Sequence, residues 1–130
     1  MSSRAKGRRA SGRRIGRNLA AKLLSPLPKD KAFHFYMDVD RPTGIYANSL
    51  LEFSQRLLEV DPQSVSFHVK RGDFQAWLSE IVGDGELALK MEGLKDSTLP
   101  PEELRRKVYD EVKARCDELS AALAGAKPSK

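Results

Sequence analysis

Apolar residues recur along this chain mostly at helical spacing. Ile15, Leu19 and Leu23 stand at i, i+4 and i+8 with Leu24 beside them, which predicts a short amphipathic helix over 15–24. Pro26 and Pro28 end it. Phe33, Phe35, Met37 and Val39 then alternate with His34, Tyr36, Asp38 and Asp40, the period of a strand. A lone strand does not stand by itself, so an extended segment near 33–39, packed across helices, is expected in preference to a small pairing. Arg41-Pro42-Thr43-Gly44 reads as a turn or loop.

From Ser49 onward the pattern is helical throughout. Ser49 with Glu52 forms a capping box, opening a helix with Leu50, Phe53, Leu57 and Val60 inward, widened by Leu51 and Leu58. Asp61-Pro62 restarts the chain as N-cap and first-turn proline. Val65–Val69 alternates like a strand, yet that cap and the nearness of Gly72 favour a helix. Gly72 stops it and Asp73 is read as the next cap, ahead of a Phe74, Trp77, Leu78, Ile81 stripe. Gly83-Asp84-Gly85 breaks the chain before a short helix carrying Leu87, Met91 and Leu94. Pro100-Pro101-Glu102-Glu103 begins the longest helix, with Leu104, Val108, Val112, Cys116 (or the Arg115 stem), Leu119 and Leu123 along one side. The expectation is an all-α fold: a compact bundle of about five helices over 32–124, with a basic arm at 1–31 and a flexible tail at 125–130.

Composition narrows the chemistry. A length of 130 residues fits a single domain with tails. One cysteine, Cys116, excludes an internal disulfide and a multi-thiolate zinc site, and two histidines add too little for a metal cage. Neither a metal nor a cofactor is therefore expected. No stretch approaches the roughly 20 apolar residues of a membrane span. The sequence holds no phosphate-binding glycine loop, nucleophile elbow or zincin helix, so no catalytic residue is assigned and a non-enzymatic role is expected.

Charge changes the picture most. Residues 1–31 hold ten basic residues against Asp30, a net +9; with the whole chain at +5, the remainder carries −4. A basic arm thus precedes a mildly acidic body. Residues 1–17 contain three Gly, three Ser and seven basic residues, a composition expected to be disordered in isolation. Arg4, Lys6, Arg8, Arg9, Arg13, Arg14 and Arg17 are the candidate nucleic-acid-binding residues. Such side chains neutralise phosphates, and Arg grips phosphate oxygens in pairs. Interspersed glycine and serine suit an irregular target, so structured RNA or a ribonucleoprotein is favoured over DNA. A solvated tail and a targeting peptide are the competing readings of the arm. No apolar stretch of a secretory signal follows it, and a cytoplasmic setting is expected. The rival function is a protein-interaction or regulatory module, with 15–24 and 104–123 as possible self-association helices.

Other candidates read as structural. His68, Arg71 and Asp73 can form an anion site, or make His68 a general base beside Asp73, but no second catalytic group accompanies them. A structural histidine is the preferred reading. Phe74 and Trp77 read as core. Asp38, Asp40, Asp84 and Glu86 lack the spacing of a calcium loop. Tyr36 and Tyr46 flank Thr43-Gly44 and can line a small groove.

Residues 32–94 resemble a conserved uncharacterised small helical domain family of archaea and bacteria. The resemblance rests on Phe33-His34-Phe35-Tyr36, Thr43-Gly44, Ala47-Asn48-Ser49-Leu50 and Glu52-Phe53. Its sharpest part is Val60-Asp61, then Phe67-His68, Arg71-Gly72-Asp73-Phe74, Trp77-Leu78 and Gly83-Asp84 with Leu87-Ala88. It implies a helical domain without an assigned activity, supports a helix at 61–71 and a prokaryotic setting, and supplies no catalytic residues. The basic arm and its helix are additions to that pattern.

Overall fold

The computed structural model describes residues 15–125. Six α-helices and one two-stranded antiparallel sheet are found there: α1 (Arg17–Leu24), β1 (Phe33–Tyr36), β2 (Pro42–Ala47), α2 (Leu50–Leu57), α3 (Pro62–Arg71), α4 (Asp73–Trp77), α5 (Gly85–Glu92) and α6 (Pro101–Ala124). A π-helical turn at Leu78–Val82 joins α4 towards α5.

The sheet corrects the all-α expectation: the protein is helix-dominated but mixed. The extended segment is paired, Phe33 opposite Ala47 and His34 opposite Tyr46, with a bulge before Tyr36, which faces Pro42. The turn lies earlier than the sequence suggested, closed by Met37 N–H to the Arg41 carbonyl at 2.8 Å. Pro42 and Gly44, read as loop residues, instead belong to β2; proline is tolerated at the first position of an edge strand. Thr43 mends the bulge, its Oγ1 donating to the Phe35 carbonyl at 2.9 Å and accepting from Ile45 N–H at 3.0 Å. A hairpin this small is marginal alone. It persists because Phe33, Phe35 and Ala47 are buried against helices.

Phe33 is the hub of the core, with ring centroids 5.0 Å from Phe35, 5.1 Å from Phe74 and 5.6 Å from Trp77. The long helix α6 supplies the opposite wall through Leu104, Val108, Val112, Cys116 and Leu119, all buried. Helix α1 lies on α6 and shares this core. Its buried face is Ala20 and Leu23, whereas Leu19, placed on the stripe by spacing, is 46 % exposed. A small residue at the contact lets the two helix axes approach, which sets the rotation of α1. The apolar faces of 15–24 and 104–123 therefore cover each other.

Local signals explain most boundaries. Ser49 Oγ accepts from Glu52 N–H at 3.0 Å, and the Glu52 carboxylate accepts from Asn48 N–H at 2.8 Å, so the capping box closes one residue further out than its usual form. Asp61 accepts from Gln63 N–H at 2.9 Å and Pro62 occupies the first turn of α3. Gly72, at φ +79°, turns the chain from α3 into α4. The predicted Phe74–Ile81 stripe assumes 3.6 residues per turn. The π turn, with Gly83 N–H bonded to the Leu78 carbonyl at 2.9 Å, breaks that register. Val82 is consequently buried and Ile81 is 36 % exposed.

Candidate functional site

Two α3 side chains on one helix face, Ser64 and His68, satisfy both backbone groups of Tyr36. Ser64 Oγ donates to the Tyr36 carbonyl at 2.8 Å, and Tyr36 N–H donates to His68 Nε2 at 2.9 Å. Tyr36 stands opposite Pro42 and has no strand on its other side, and a buried backbone donor without a partner costs about 1–3 kcal/mol. His68 Nδ1 lies 2.7 Å from Asp73 Oδ2. Tyr36 must donate to Nε2, so the proton sits on Nδ1 and points at the carboxylate; this assigns the neutral tautomer from the network. Burial lowers the His68 pKa below its ordinary value, partly opposed by the Asp73 carboxylate.

This network bears on each of His68, Arg71 and Asp73. The three are brought together, with Arg71 Nε 3.4 Å from the same Asp73 oxygen. His68 is 3 % exposed and both ring nitrogens are committed, leaving no lone pair for a general base. Asp73 does not cap α4, whose N-cap is Gly72, because its carboxylate serves His68. Of the three, Arg71 has the most exposed side chain, at 51 %. Its guanidinium carbon lies 4.9 Å from the centroid of the Phe67 ring, in cation–π geometry. Its two terminal nitrogens have no protein partner among the described residues.

Arg71 and Phe67 form one wall of a groove of about 390 Å³. The hairpin forms the other through His34, Tyr36 and Val39, and Trp77 lies at the base. His34 stacks on Tyr46, with centroids 5.7 Å apart and rings inclined by 30°. Tyr36 thus does line a groove, whereas Tyr46 backs the His34 wall. Phe74 and Trp77 are core residues, 0 % and 7 % exposed. Trp77 Nε1 donates to the Lys31 carbonyl at 2.9 Å, which pins the segment entering β1.

A second polar centre was missed by sequence reading. Asp84 and Arg115 are 1 % and 5 % exposed and form a two-point pair, Nε to Oδ2 at 2.8 Å and Nη2 to Oδ1 at 3.1 Å. Asp84 Oδ1 also caps α5 through Leu87 N–H at 3.1 Å, and Arg115 Nη1 reaches Glu118 at 2.8 Å. The pair ties α5 to α6. Two signals pointed to it: an aspartate between two glycines ahead of a helix, and an arginine on the apolar side of α6.

Of the arm candidates, Arg4, Lys6, Arg8, Arg9, Arg13 and Arg14 lie outside the described residues. Arg17 begins α1, and its guanidinium rests over the C-terminal turn of α6: a Cβ on Gly125 would stand 2.7 Å from Arg17 Nη2. The carbonyl-rich end of a helix favours a cation there. Among the described residues, no group of three or more His, Cys, Asp or Glu is placed to hold a metal ion. Asp38 instead pairs with Arg41, and Asp84 with Arg115. No described helix is long and apolar enough to cross a membrane.

No family model matches the chain, and neither the curated proteins nor the solved structures compared with it contain a match.

Proposed function

We propose that this protein is a non-enzymatic, nucleic-acid-associated protein of the cytoplasm, whose basic arm docks on structured RNA or a ribonucleoprotein. The observation that carries this reading is the segregation of charge: +9 over residues 1–31 and −4 over the rest. Solubility alone does not call for such a partition, because a net charge spread over the surface serves it equally well. A polyanionic partner does. Six basic side chains within residues 1–14 can each displace a condensed counterion from phosphate.

Two structural features support it. Helix α1 is fixed on α6 through Ala20 and Leu23, so the preceding basic run is tethered to a folded body. The polar clusters found in the body are closed on themselves: His68 is saturated by Tyr36 and Asp73, and Asp84 by Arg115 and Leu87. We further propose that the body is a member of the helical domain family that its Phe67-His68 and Arg71-Gly72-Asp73-Phe74 motif resembles.

The test is fluorescence anisotropy of the full chain and of a chain lacking residues 1–14, titrated with folded RNA and with duplex DNA. Removing 1–14 leaves α1 in place. The expected result is salt-dependent binding by the full chain, tighter for RNA, and its loss in the shortened chain. Equal binding by both chains, or none by either near physiological salt, would overturn the reading.

A further inference from the structure

We propose that the groove between the outer face of the hairpin and α3 holds one unpaired base of a single-stranded nucleic acid, stacked between the His34–Tyr46 pair and the Arg71 guanidinium. This rests on the nucleic-acid reading above and specifies which part of the partner the body engages.

The hairpin is two-faced. Phe33 and Phe35 enter the core, while His34 and Tyr36 alternate outward, and Tyr46, directly across from His34, is 42 % exposed. Aromatic side chains on the solvent face of a sheet bring no core burial, and they offer flat surfaces to a ligand. The opposite wall is also flat. Arg71 is laid over Phe67 at 4.9 Å and held by Asp73 through Nε. An arginine held in that way presents a planar stacking surface, with its terminal nitrogens unpaired among the described residues and able to meet a phosphate.

The base of the groove selects the mode of recognition. Trp77 Nε1 is spent on the Lys31 carbonyl, and both His68 nitrogens are spent on Tyr36 and Asp73. Trp77 and His68 therefore have no donor or acceptor left to read a base edge, and Asp73, which also lines the groove, is held through Oδ2 by His68 and Arg71. Recognition is therefore by stacking, which tolerates any base because each has a π face. Charge fits the same occupant at one end. Lys70 and Lys31 are exposed and without an acidic partner among the described residues, and Lys31 is joined to the groove through Trp77. The other end carries the hairpin turn, where Asp38 is paired with Arg41 and Asp40 is exposed. A strand is thus directed across the Arg71 end. A paired base cannot enter, because its faces are already covered by its neighbours in the stack.

The test uses the full chain with its arm, titrated with a short unpaired RNA oligonucleotide carrying 2-aminopurine, and with the same sequence as a duplex. Tyr46→Ala removes the backing of one wall. Arg71→Lys keeps the charge of the other but removes its plane, so a folding defect in one variant leaves the second informative. Circular dichroism and thermal unfolding establish that each is folded. The expected result is quenching of 2-aminopurine on binding. Each variant should weaken single-strand binding by about fivefold to a hundredfold, the loss of one stacked base, with duplex binding unchanged. Single-strand binding by the parent that neither variant alters, or that leaves the fluorophore unquenched, would overturn the groove while leaving the arm as anchor. No binding of either RNA by the parent would overturn the arm reading, and the groove with it.

Discussion

Replacing Arg115 by methionine should destabilise the fold severely. Methionine keeps much of the stem packing but strands the Asp84 carboxylate, 1 % exposed, with the Leu87 N–H as its remaining partner. Two charge-assisted hydrogen bonds, at 2.8 and 3.1 Å, disappear with the guanidinium. A third, to Glu118, involves a side chain 39 % exposed and counts for little after screening by solvent. Two buried charge-assisted bonds at about 1.5–3 kcal/mol each agree with the cost of about 3–5 kcal/mol for breaking a buried pair from one side. That is a large share of the stability of a domain, about 5–15 kcal/mol. Urea unfolding followed by the single tryptophan, Trp77, reads it out. With a slope of about 1–3 kcal/mol per molar for small proteins, the midpoint should fall by at least about 1 M at unchanged slope. The double change Asp84→Asn with Arg115→Met keeps an α5 cap and strands no charge, so it should be more stable than Arg115→Met alone. A loss below about 1 kcal/mol, the value of an exposed ion pair, would refute the claim that this pair is buried and indispensable.

Three further outcomes follow from particular groups. The folded His68 pKa lies below the ordinary 6.5, so between these values the unfolded chain binds more protons. The stabilisation is complete above 6.5 and declines as pH falls from there toward the folded value; the urea midpoint should drop over that window, and His68→Gln should flatten the drop. A midpoint that rises on acidification through this window would contradict the assignment. Burial pushes the Cys116 thiol up to about 11, so an added disulfide reagent near neutral pH should modify it slowly in the folded chain and fast in urea. Gly72→Ala should cost about 1–2 kcal/mol by thermal unfolding. The cost comes from its φ of +79° alone, since the nearest atom to an added Cβ is 3.6 Å away.

Features governed by neighbours in sequence were legible in it. The Ser49 and Asp61 caps, the Gly72 stop and the core faces of α2 and α6 each depend on residues within a few positions. The sheet was hidden because β2 begins at Pro42 and contains Gly44, residues that ordinarily signal a loop, and because its pairing depends on packing from α3. The π turn was hidden because spacing arguments presuppose a constant helical period. At the candidate site, the short Phe67–Trp77 segment revealed which residues gather, but not what they do. His68 meets Tyr36 across 32 positions, and Asp84 meets Arg115 across 31. Such pairings are fixed by the packed fold, and local periodicity carries no trace of them.

Phosphate binding by the arm is read from the salt dependence of RNA binding. Engagement of about six duplex phosphates gives a slope of log affinity against log salt of about −5. Changing Arg8, Arg9, Arg13 and Arg14 to glutamine should remove about 0.9 per lost contact and bring the slope to about −2. An unchanged slope in that variant would contradict the account, because the bound charges would then lie elsewhere on the protein.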